Sequence, residues 1–595
     1  MKKFTFVVFM IFFSIQMYLS AENRQQLQKL TSETVLKLSL PNLFGDNMVL
    51  QQNTNASIWG WAPAGTTVTI TASWGYMASS ISDSNGKWMT NIQTPIALQG
   101  QAPVYTLVIS DGTSTIKYNN VMIGEVWLCS GQSNMMYRMD PKWPDYSAEV
   151  AAANYPNIRF FQMPRTTSTV PLDDCNALWV SCNTTNVKTF SPAAYFFGRE
   201  LFNHPAVNVP IGLIQNACGQ SSIQAWMKRE ILVSDSDLRA LYLDNNYSNP
   251  YQTPTNIYNA MMAPIFPFTI KGCIWYQGEA NINNGKTYTK ANIALINDWR
   301  KDMDNDFSFY AAQVAPYFWA TGQTKDLSAR TGYFREAQSA ITELPKTGII
   351  VTTDILGDSS QLFEIHPYDK RTVGKRFAYL ALAKDYGQNV QYLGPQYASH
   401  SIEGNKVRVI FKPESLGCGL CTSNGMSARC FKIAGLDKKF YPALALLDGN
   451  QVIVSSEYVN TPVAVRYAFS EGAMTNLMNK EGFAAFPFRT DEWTSETYID
   501  MAEPSVSNNT SLEFVQFNEL KFFPNPVQDK IYIDLAGKKI QKVDVLDLTG
   551  KKILSQDVSG SMNVTLNVSF ILKGLYLIRV QGPDNKMMLS KFIKI

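Results

Sequence analysis

Hydrophobic and polar residues alternate with a period of two along the first part of the chain, from about residue 38 to residue 120. The alternating stretches include "ASIWGWA", "TTVTITASW" and "VYTLVIS", and turns rich in Gly, Pro, Asn and Asp separate them. Successive side chains of a strand point to opposite faces of its sheet, so the alternation predicts strands with one buried and one exposed face. We expect residues 38–120 to form a small β-sandwich.

The pattern changes between about residue 121 and residue 390. Continuous apolar runs, typical of strands that are buried on both faces, occur at "MIGEVWLC", "VPIGLIQNA", "KGCIWYQ", "FSFYAAQVA" and "TGIIVTTDI". Helix-like stretches such as "AAYFFGRELF" and "DKRTVGKRFAYLALAKDY" alternate with them. This order predicts an α/β domain in which helices cover both faces of a parallel sheet.

A β pattern returns twice toward the end of the chain. It includes "KVRVIFK", "QVIVSS" and "PVAVRYAF" between about residues 391 and 500, and "FFPNPVQDKIYIDL" and "GLYLIRV" after about residue 520. We therefore expect an accessory β domain at 391–500 and a C-terminal β domain at 520–595. A chain of 595 residues with 45% hydrophobic and 12% aromatic residues is long enough for several domains with cores of their own.

The N-terminus has the pattern of a secretory signal peptide. Lys2 and Lys3 precede a short apolar run, and the small residues Ser20 and Ala21 follow it. A membrane anchor is the alternative, but the run is short for a span and the rest of the sequence has no stretch that is long and apolar enough. We expect export with removal of residues 1–21, which leaves no stable membrane span.

Charge and cysteine content narrow the possible partners. The 52 basic and 49 acidic residues give a net charge of +3, and basic runs interleaved with aromatics are missing, so nucleic acid is excluded as an expected partner. Most of the eight cysteines lie far apart or in apolar strands, where buried thiols are expected. The candidate disulfides join Cys175 to Cys182 and two of Cys418, Cys421 and Cys430. Three thiols without a nearby His make a poor zinc site.

The segment "LCSGQSNMMY", residues 128–137, interrupts an apolar run with Gly-Gln-Ser-Asn. It predicts a buried strand, a tight turn and a helix, which is where an α/β fold places its chemistry. The alternative is a polar turn in which Ser133 or Asn134 only caps the helix. Residues elsewhere in the chain have to distinguish the two interpretations.

A serine nucleophile needs a base, and imidazole is the usual base near neutral pH. The chain has three histidines. His204 lies between a helix and the following strand, at the opposite edge of the predicted sheet, and His400 lies beyond the α/β region. His366 follows the strand "TGIIVTTDI" by a loop and precedes a helix, so it belongs to the same edge as Ser133.

Two further loops leave predicted strands at that edge. Gly219 follows "VPIGLIQNA" and lets a backbone N–H approach a ligand closely, and Gln277 follows "KGCIWY" with a side-chain amide. Donors of this kind stabilise the oxyanion of ester hydrolysis. Each loop alone is better explained as a glycine-assisted turn. The convergence of a Ser, a Gly, a Gln and one suitable His favours a catalytic site.

These segments together resemble one family of hydrolases. The ordered succession of "GEVWLCSGQSNM", "GLIQNACGQSSIQAWM", "WYQGEAN", "FREAQ" and "IHPYDKRTVGKRFA" is similar to the sialate O-acetylesterase family within the SGNH (GDSL-like) hydrolases, over roughly residues 38–492. The resemblance implies that Ser133 is the nucleophile and His366 the general base. It also implies an oxyanion hole formed by Ser133 N–H, Gly219 N–H and Gln277, and neither a metal nor an organic cofactor.

The sequence departs from the family pattern at the acid of the triad. Relatives often have Asp-Ile-His, whereas Glu364 stands two residues before His366 here. Glu364 is the candidate acid, and Asp354, Asp358 or a backbone carbonyl are alternatives.

The expected substrate-binding residues lie on the same loops. Gln220 stands where family members often have a second glycine, so it is expected to shape the pocket wall. Trp226 is a candidate for stacking on a sugar face, as are Trp275 and Tyr276, although Trp275 fits better as a core residue of its strand.

The tail carries a second resemblance. Pro524-Asn525-Pro526 opens a segment, ending in "LKGLYLIRV" and "KFIKI", that is similar to the C-terminal sorting domains of type IX secretion cargo. This implies interaction with the type IX secretion machinery and passage through the periplasm to the outer surface or the medium. A sugar-binding β module is the alternative.

Three functions are compatible with these features. The first is a secreted carbohydrate O-acetylesterase that acts on O-acetylated sialic acids. The second has the same chemistry but acts on acetylxylan or another polysaccharide, because the cation needed to recognise the sialate carboxylate cannot be placed from the sequence. The third is a catalytically silent carbohydrate-binding surface protein, against which the presence of Ser133, His366 and Gln277 argues.

Overall fold

A computed structural model describes residues 36–139, 145–243, 249–319, 329–493, 497–499, 521–534, 541–547, 552–558, 563–581 and 587–595. Contacts divide the chain into two compact units, residues up to 503 and residues from 504 onward. The predicted signal peptide, residues 1–21, lies outside the described residues. Among the described helices, none has the length and apolar character needed to cross a membrane.

The front region consists of short strands that mostly pair antiparallel. The pairs are β2 with β5 and β3 with both β4 and β6, whereas β1 runs parallel to β7. The strands are β1 (Val49–Gln51), β2 (Asn55–Trp61), β3 (Thr67–Ala72), β4 (Tyr76–Ile81), β5 (Lys87–Gln93), β6 (Tyr105–Ser110) and β7 (Thr115–Gly131).

Strand β7 crosses the predicted domain boundary at residue 120. Its first residues pair antiparallel with β6, whereas residues 125–131 pair in parallel with the strand that ends at Ala217. Side chains alternate between exposed and partly buried positions up to residue 120 and are buried without interruption from Val121 onward. The sequence pattern therefore changes at the predicted position, but the change marks a new environment within one strand and not a break between domains.

The α/β region continues with six further strands and with helices on both sides of the sheet. The strands are β8 (Tyr155–Gln162), β9 (Trp179–Cys182), β10 (Ile211–Ala217), β11 (Gly272–Tyr276), β12 (Ser308–Ala312) and β13 (Thr347–Ile350). The α-helices of the described residues are α1 (Ser133–Met136), α2 (Ser147–Ala152), α3 (Pro192–Asn203), α4 (Arg229–Ser234), α5 (Ser236–Leu243), α6 (Gly285–Asp302), α7 (Arg330–Ser339) and α8 (Lys370–Lys384).

The strand order is β13-β12-β11-β7-β10-β8-β9, and all neighbours are parallel except β8 and β9. Successive side chains of β7 enter different cores: Leu128 belongs to the core that contains Trp299 of α6, whereas Trp127 belongs to the core that contains Phe197 of α3 and Phe377 of α8. Two cores on two faces of a mainly parallel sheet confirm the α/β prediction.

The central strands end level with one another. Gly131 of β7 is paired with Ala217 of β10 on one side and with Tyr276 of β11 on the other. The loops that carry Ser133, Gly219 and Gln277 therefore leave the sheet at the same carboxyl edge, as expected for parallel strands.

The accessory region contains three small sheets within the same compact unit. Its strands order as β14-β15-β20-β19, β16-β22 and β23-β21-β17-β18-β24. Arg335 of α7 donates to the carbonyl of Ala468 at 3.1 Å, and the N–H of Thr475 donates to the carbonyl of Thr353 at 3.1 Å, so hydrogen bonds join this region to the α/β region. The strands are β14 (Tyr397–Glu403), β15 (Lys406–Phe411), β16 (Leu420–Thr422), β17 (Phe431–Ala434), β18 (Lys439–Pro442), β19 (Leu444–Asp448), β20 (Gln451–Ser455), β21 (Ala464–Tyr467), β22 (Leu477–Asn479), β23 (Phe488–Arg489) and β24 (Thr497–Tyr498).

The C-terminal unit contains two antiparallel sheets, of order β25-β26-β29 and β28-β27-β30-β31. Val543, Leu566 and Ile578, from both sheets, share one hydrophobic core. The strands are β25 (Lys521–Phe523), β26 (Lys530–Asp534), β27 (Lys542–Leu546), β28 (Lys552–Asp557), β29 (Asn563–Asn567), β30 (Gly574–Gln581) and β31 (Met587–Lys594).

The candidate disulfides are not formed, because all eight cysteines are free thiols. Cys175 and Cys182 pack into different hydrophobic clusters, and burial raises the pKa of each thiol to about 12. Cys418, Cys421 and Cys430 are also unpaired with one another. Sequence proximity was therefore a misleading guide to pairing.

Candidate active site

The turn after β7 is fixed to the neighbouring strand. Gly131 has φ +133°, and a Cβ at this position would lie 2.2 Å from the carbonyl oxygen of Tyr276, so glycine is required. Gln132 donates its N–H to the same carbonyl at 2.9 Å and accepts from the N–H of Gly278 at 3.3 Å. Ser133 is thereby held as the first residue of α1, where a backbone N–H has no acceptor within the helix.

Gly219 lies directly against Ser133. A Cβ built on Gly219 would be 3.6 Å from the Cβ of Ser133 and 3.0 Å from the Cε of Met136. The N–H of Gly219 donates to the Sδ of Met136 at 3.4 Å. Because a thioether is a weak acceptor, an oxyanion beside Ser133 would be a stronger partner for this N–H.

The His366 loop is bonded to the Ser133 helix. Asn134 donates its Nδ2 to the carbonyl of Ile365 at 3.2 Å, which joins the residue after Ser133 to the residue before His366. The ring of Tyr137, at the end of α1, lies 5.5 Å from the imidazole of His366. The structure therefore brings the segments of the predicted nucleophile and base together.

Glu364 is the predicted acid that contacts the imidazole. Its Oε1 lies 3.0 Å from Nδ1 of His366 and accepts from the backbone N–H of His366 at 2.9 Å. Asp354 instead forms two hydrogen bonds with the buried Arg376, at 2.7 and 2.6 Å, and Asp358 caps the short helix that follows it. Of the three carboxylates considered from the sequence, Glu364 has the position of an orienting group.

Burial and charge set the protonation of His366. Burial is the main cause that lowers the pKa of its imidazole, and the positive charge of Lys370 lowers it further. Glu364 opposes both by favouring the protonated ring. A neutral ring that donates Nδ1–H to Glu364 leaves Nε2 as a proton acceptor.

Gln277 is buried and its amide is engaged within the loops. Nε2 donates to the carbonyl of Ser221 at 3.1 Å and to Oδ1 of Asn281 at 2.9 Å, and Oε1 accepts from the hydroxyl of Tyr288 at 2.8 Å. These bonds brace the loop that follows Gly219. A donation from Gln277 to an oxyanion would require one of the two Nε2 bonds to be given up.

The rim beside Gly219 carries a cation that the sequence analysis did not identify. Arg165 donates to the carbonyl of Gly219 at 3.0 Å, and its guanidinium lies 3.6 Å from the centre of the Tyr251 ring. The neighbouring Gln220 is exposed, has φ +68° and accepts from Asn249 at 3.2 Å. An exposed arginine and amide therefore flank the predicted oxyanion hole.

The prediction that Trp226 stacks on substrate is wrong. Its side chain is 0% exposed, its Nε1 donates to the hydroxyl of Ser221 at 2.9 Å, and its ring packs edge-on against Trp275 and Trp299. The short helix Ile223–Trp226 turns the ring into the core. Trp275 and Tyr276 are equally buried, so these aromatics are core residues.

A buried polar chain beneath the site was also missed. Lys370 donates to Oδ1 of Asn134, and Asn134 donates its Nδ2 to Oε1 of Glu279 at 2.6 Å. All three residues are buried. Each lies in a loop or at a helix start, close to a residue that the sequence had already indicated for the site. This proximity is the signal by which the sequence could have identified it.

Comparison with known proteins identifies the family of the two compact units. Residues 123–383 match the family described as carbohydrate esterase, sialic acid-specific acetylesterase, and residues 521–595 match the secretion system C-terminal sorting domain. A crystal structure of a carbohydrate acetylesterase from Xanthomonas citri is similar, with a TM-score of 0.68 and 33% identity, over 76% of this chain and 100% of that one. The fold and the site thus define a carbohydrate esterase of the α/β class.

Similar curated proteins narrow the family. Sialate O-acetylesterases from Pongo abelii and Homo sapiens are each 30% identical over 384 residues, which covers 59% of this chain and 72% of theirs. The chain belongs to the sialate O-acetylesterase family and carries a type IX sorting domain at its C-terminus, so both resemblances noted in the sequence are confirmed.

Proposed function

We propose that the protein is a secreted carbohydrate O-acetylesterase in which Ser133 is the nucleophile and His366 the general base. The observation that carries the proposal is the direct bond between their segments, from Asn134 to Ile365, with Glu364 placed on Nδ1 of the imidazole. This arrangement matches the requirement of serine catalysis for a nucleophile, a base and an orienting group.

The reaction follows from these positions. Ser133 Oγ attacks the acetyl carbonyl carbon and its proton passes to Nε2 of His366, while the N–H groups of Ser133 and Gly219 donate to the developing oxyanion. The C–O bond to the sugar breaks, and the sugar hydroxyl leaves with the proton from His366. Water then attacks the acetyl-serine, with His366 as base, and acetate is released.

The substrate class that we propose is O-acetylated sialic acid. The curated relatives are named sialate O-acetylesterases. Arg165, bonded to the carbonyl of Gly219, supplies a guanidinium at the rim of the site. A guanidinium pairs well with a carboxylate, which sialic acid has and an acetylated xylose unit lacks. Gln220, beside Arg165, offers an amide to the sugar.

The sorting domain supports export to the cell surface or the medium. In this proposal the N-terminal signal peptide carries the chain to the periplasm, and the type IX machinery carries it across the outer membrane. An exported enzyme would meet acetylated sugars of extracellular glycans.

The mechanism is tested with Ser133→Ala and with Ser84→Ala, an exposed serine of a front-region turn, as the matched control. We expect acetate release from any accepted ester to fall by about 10³-fold or more in Ser133→Ala and to be unchanged in Ser84→Ala. Labelling by a fluorophosphonate should be lost in the same variant. Full esterase activity in a folded Ser133→Ala protein would contradict the mechanism.

The substrate is tested by acetate release from an O-acetylated sialic acid and from acetylated xylan side by side. Preference for the sialic acid supports the proposed substrate. Preference for xylan retains the mechanism and overturns the substrate. Release from neither, with carbohydrate binding intact, favours the catalytically silent binding protein.

A further inference from the structure

Lys370 is placed where a positive charge is least favourable. Its side chain is buried, and it is the first residue of α8, whose N-terminal end is itself electropositive. Taking an ammonium group out of water is costly unless polar or charged partners replace the hydration. The partners of Lys370 therefore require an explanation.

Those partners are specific and lie in the active-site region. The ammonium donates to Oδ1 of Asn134 and lies 5.4 Å from the ring centre of Tyr276 and 5.7 Å from that of Tyr137, within the range of cation–π attraction. Asn134 in turn donates to the buried carboxylate of Glu279 at 2.6 Å. The buried chain thus ends in an acid on one side and a cation on the other.

The same amide connects both halves of the proposed catalytic pair. Asn134 directly follows Ser133, and its Nδ2 also donates to the carbonyl of Ile365, which directly precedes His366. Lys370 fixes this amide through Oδ1, so Nδ2 must face Glu279 and Ile365. The bond from Lys370 therefore determines how the amide joins the two segments.

We infer that Lys370 is a positioning residue for the proposed esterase reaction, acting through Asn134 and through its charge on His366. Its bond to Asn134 holds the Ser133 helix against the His366 loop. Its positive charge disfavours a second positive charge on the imidazole, which keeps His366 available as a base. The inference rests on the proposed function of Ser133 and His366.

The charges around Lys370 act in opposite directions. Burial lowers the pKa of Lys370 to about 7, against the opposing effect of the carboxylates of Glu279, Asp369 and Glu364, so the ammonium is charged in the acid range where His366 titrates. Lys370 lowers the pKa of His366, whereas Glu364 raises it. The ammonium also faces the rings of Tyr137 and Tyr276, and the hydroxyl of Tyr146 accepts from the backbone N–H of Lys370. Removing the charge of Lys370 and removing that of Glu364 should therefore shift the pKa of His366 in opposite directions.

The direct test is an NMR titration of the imidazoles in the complete protein. The chain has three histidines, and a His366→Gln variant assigns the signal of His366. In Lys370→Gln, which keeps an N–H donor for Asn134 but removes the charge, we expect the titration midpoint of His366 to rise. In Glu364→Gln we expect it to fall. Lys375→Gln is the matched control, since Lys375 is exposed on the same helix with its ammonium 5.3 Å from the centre of an aromatic ring.

Activity supplies the second readout. We expect Lys370→Gln to move the acid limb of the pH profile of kcat/KM to higher pH. Lys370→Met also lacks the N–H donor to Asn134, so we expect it to lower kcat by tenfold or more with little change in KM. A purely structural role would lower the unfolding temperature without moving the acid limb.

An unchanged His366 midpoint in folded Lys370→Gln would overturn the inference. If neither variant folds, a His366 midpoint in the unmodified protein at or above the ordinary imidazole range would overturn it. The titration needs no substrate and tests only the role of Lys370. Acetate release from the unmodified protein tests the proposed esterase function, so the two failures are distinguishable.

Discussion

The two edges of the parallel sheet both place a lysine near a buried carboxylate, yet they are built differently. At the amino edge a cavity of about 630 Å³ is lined by Glu125, Lys271, Ser308 and Asp385, among others. Glu125 accepts from the amides of Gln51 and Gln52 at 3.0 and 2.6 Å. These side-chain pairs connect neighbouring chain segments and include neither a histidine nor an activated serine.

At the carboxyl edge the polar groups converge on one serine. Ser133 has Gly219 against it, and its neighbour Asn134 is bonded to Glu279, Lys370 and the His366 loop. Under the proposed function, the comparison teaches that a cavity of this volume does not by itself mark the site of the chemistry. What distinguishes the carboxyl edge is that its buried charges are bonded, through Asn134, to the segments of Ser133 and His366.

The largest expected effect is that of His366→Gln. Loss of the base should lower kcat for acetate release by about 10³-fold or more, because Ser133 then has no group to accept its proton. His400→Gln is the control, since His400 bonds Tyr397 in the accessory region. Equal losses of kcat in both variants would contradict the assignment of His366 as the base.

Glu364→Gln is expected to have an intermediate effect. The acidic side chain is partly exposed, so we expect a loss of roughly tenfold in kcat, smaller than for a fully buried triad acid. The carboxylate raises the pKa of His366, so its removal should lower that pKa and move the acid limb of the rate profile to lower pH. Asp358→Asn, at the alternative acid, should leave the limb in place. A shift to higher pH in Glu364→Gln would contradict the assignment.

Arg165→Met is expected to affect one substrate class. Loss of a carboxylate partner should raise KM for O-acetylated sialic acid by roughly tenfold, equivalent to about 1.4 kcal/mol, and leave a neutral aryl acetate unaffected. Arg229→Met is the matched control, because Arg229 is also exposed and contacts the ring of Tyr242. Equal effects on the charged and the neutral ester would rule out carboxylate recognition by Arg165.

The smallest effect is expected at the amino edge. Glu125→Gln replaces a carboxylate whose pKa is raised by burial with a neutral amide of the same shape. We expect kcat/KM to stay within about twofold of the unmodified protein. The free energy of unfolding should fall by about 1–2 kcal/mol, because the hydrogen bonds from Gln51 and Gln52 rearrange. A large loss of kcat at unchanged stability would abolish the distinction between the two edges.

Much of the fold was predictable because it depends on patterns that many residues share. The change from alternating to continuous apolar runs predicted the parallel sheet, and the parallel strands placed Ser133, Gly219 and His366 at one edge. The boundary expected at residue 120 falls within β7, because a change of burial along one strand produces the same sequence signal as a change of domain.

Single residues were harder to predict, because their roles depend on contacts distant in sequence. Trp226 follows a strand in a polar loop, and only the turn into the core shows that its ring is buried. Lys370 occurs in a charged stretch that is typical of an exposed helix start. Its burial depends on Asn134 and Glu279, which are far from it in the chain.

Strand β7 has a consequence for how the molecule can be divided. Its 17 residues begin in the front region beside β6 and end at the turn before Ser133. Removal of residues 1–120 would cut through β7, the central strand of the parallel sheet. It would also remove β1, whose residues pair with Met122, Ile123 and Gly124. The front region is therefore not an interchangeable module attached by a linker: it shares an unbroken length of backbone with the turn that carries the proposed nucleophile, and any recombination of domains in this architecture has to transfer both together.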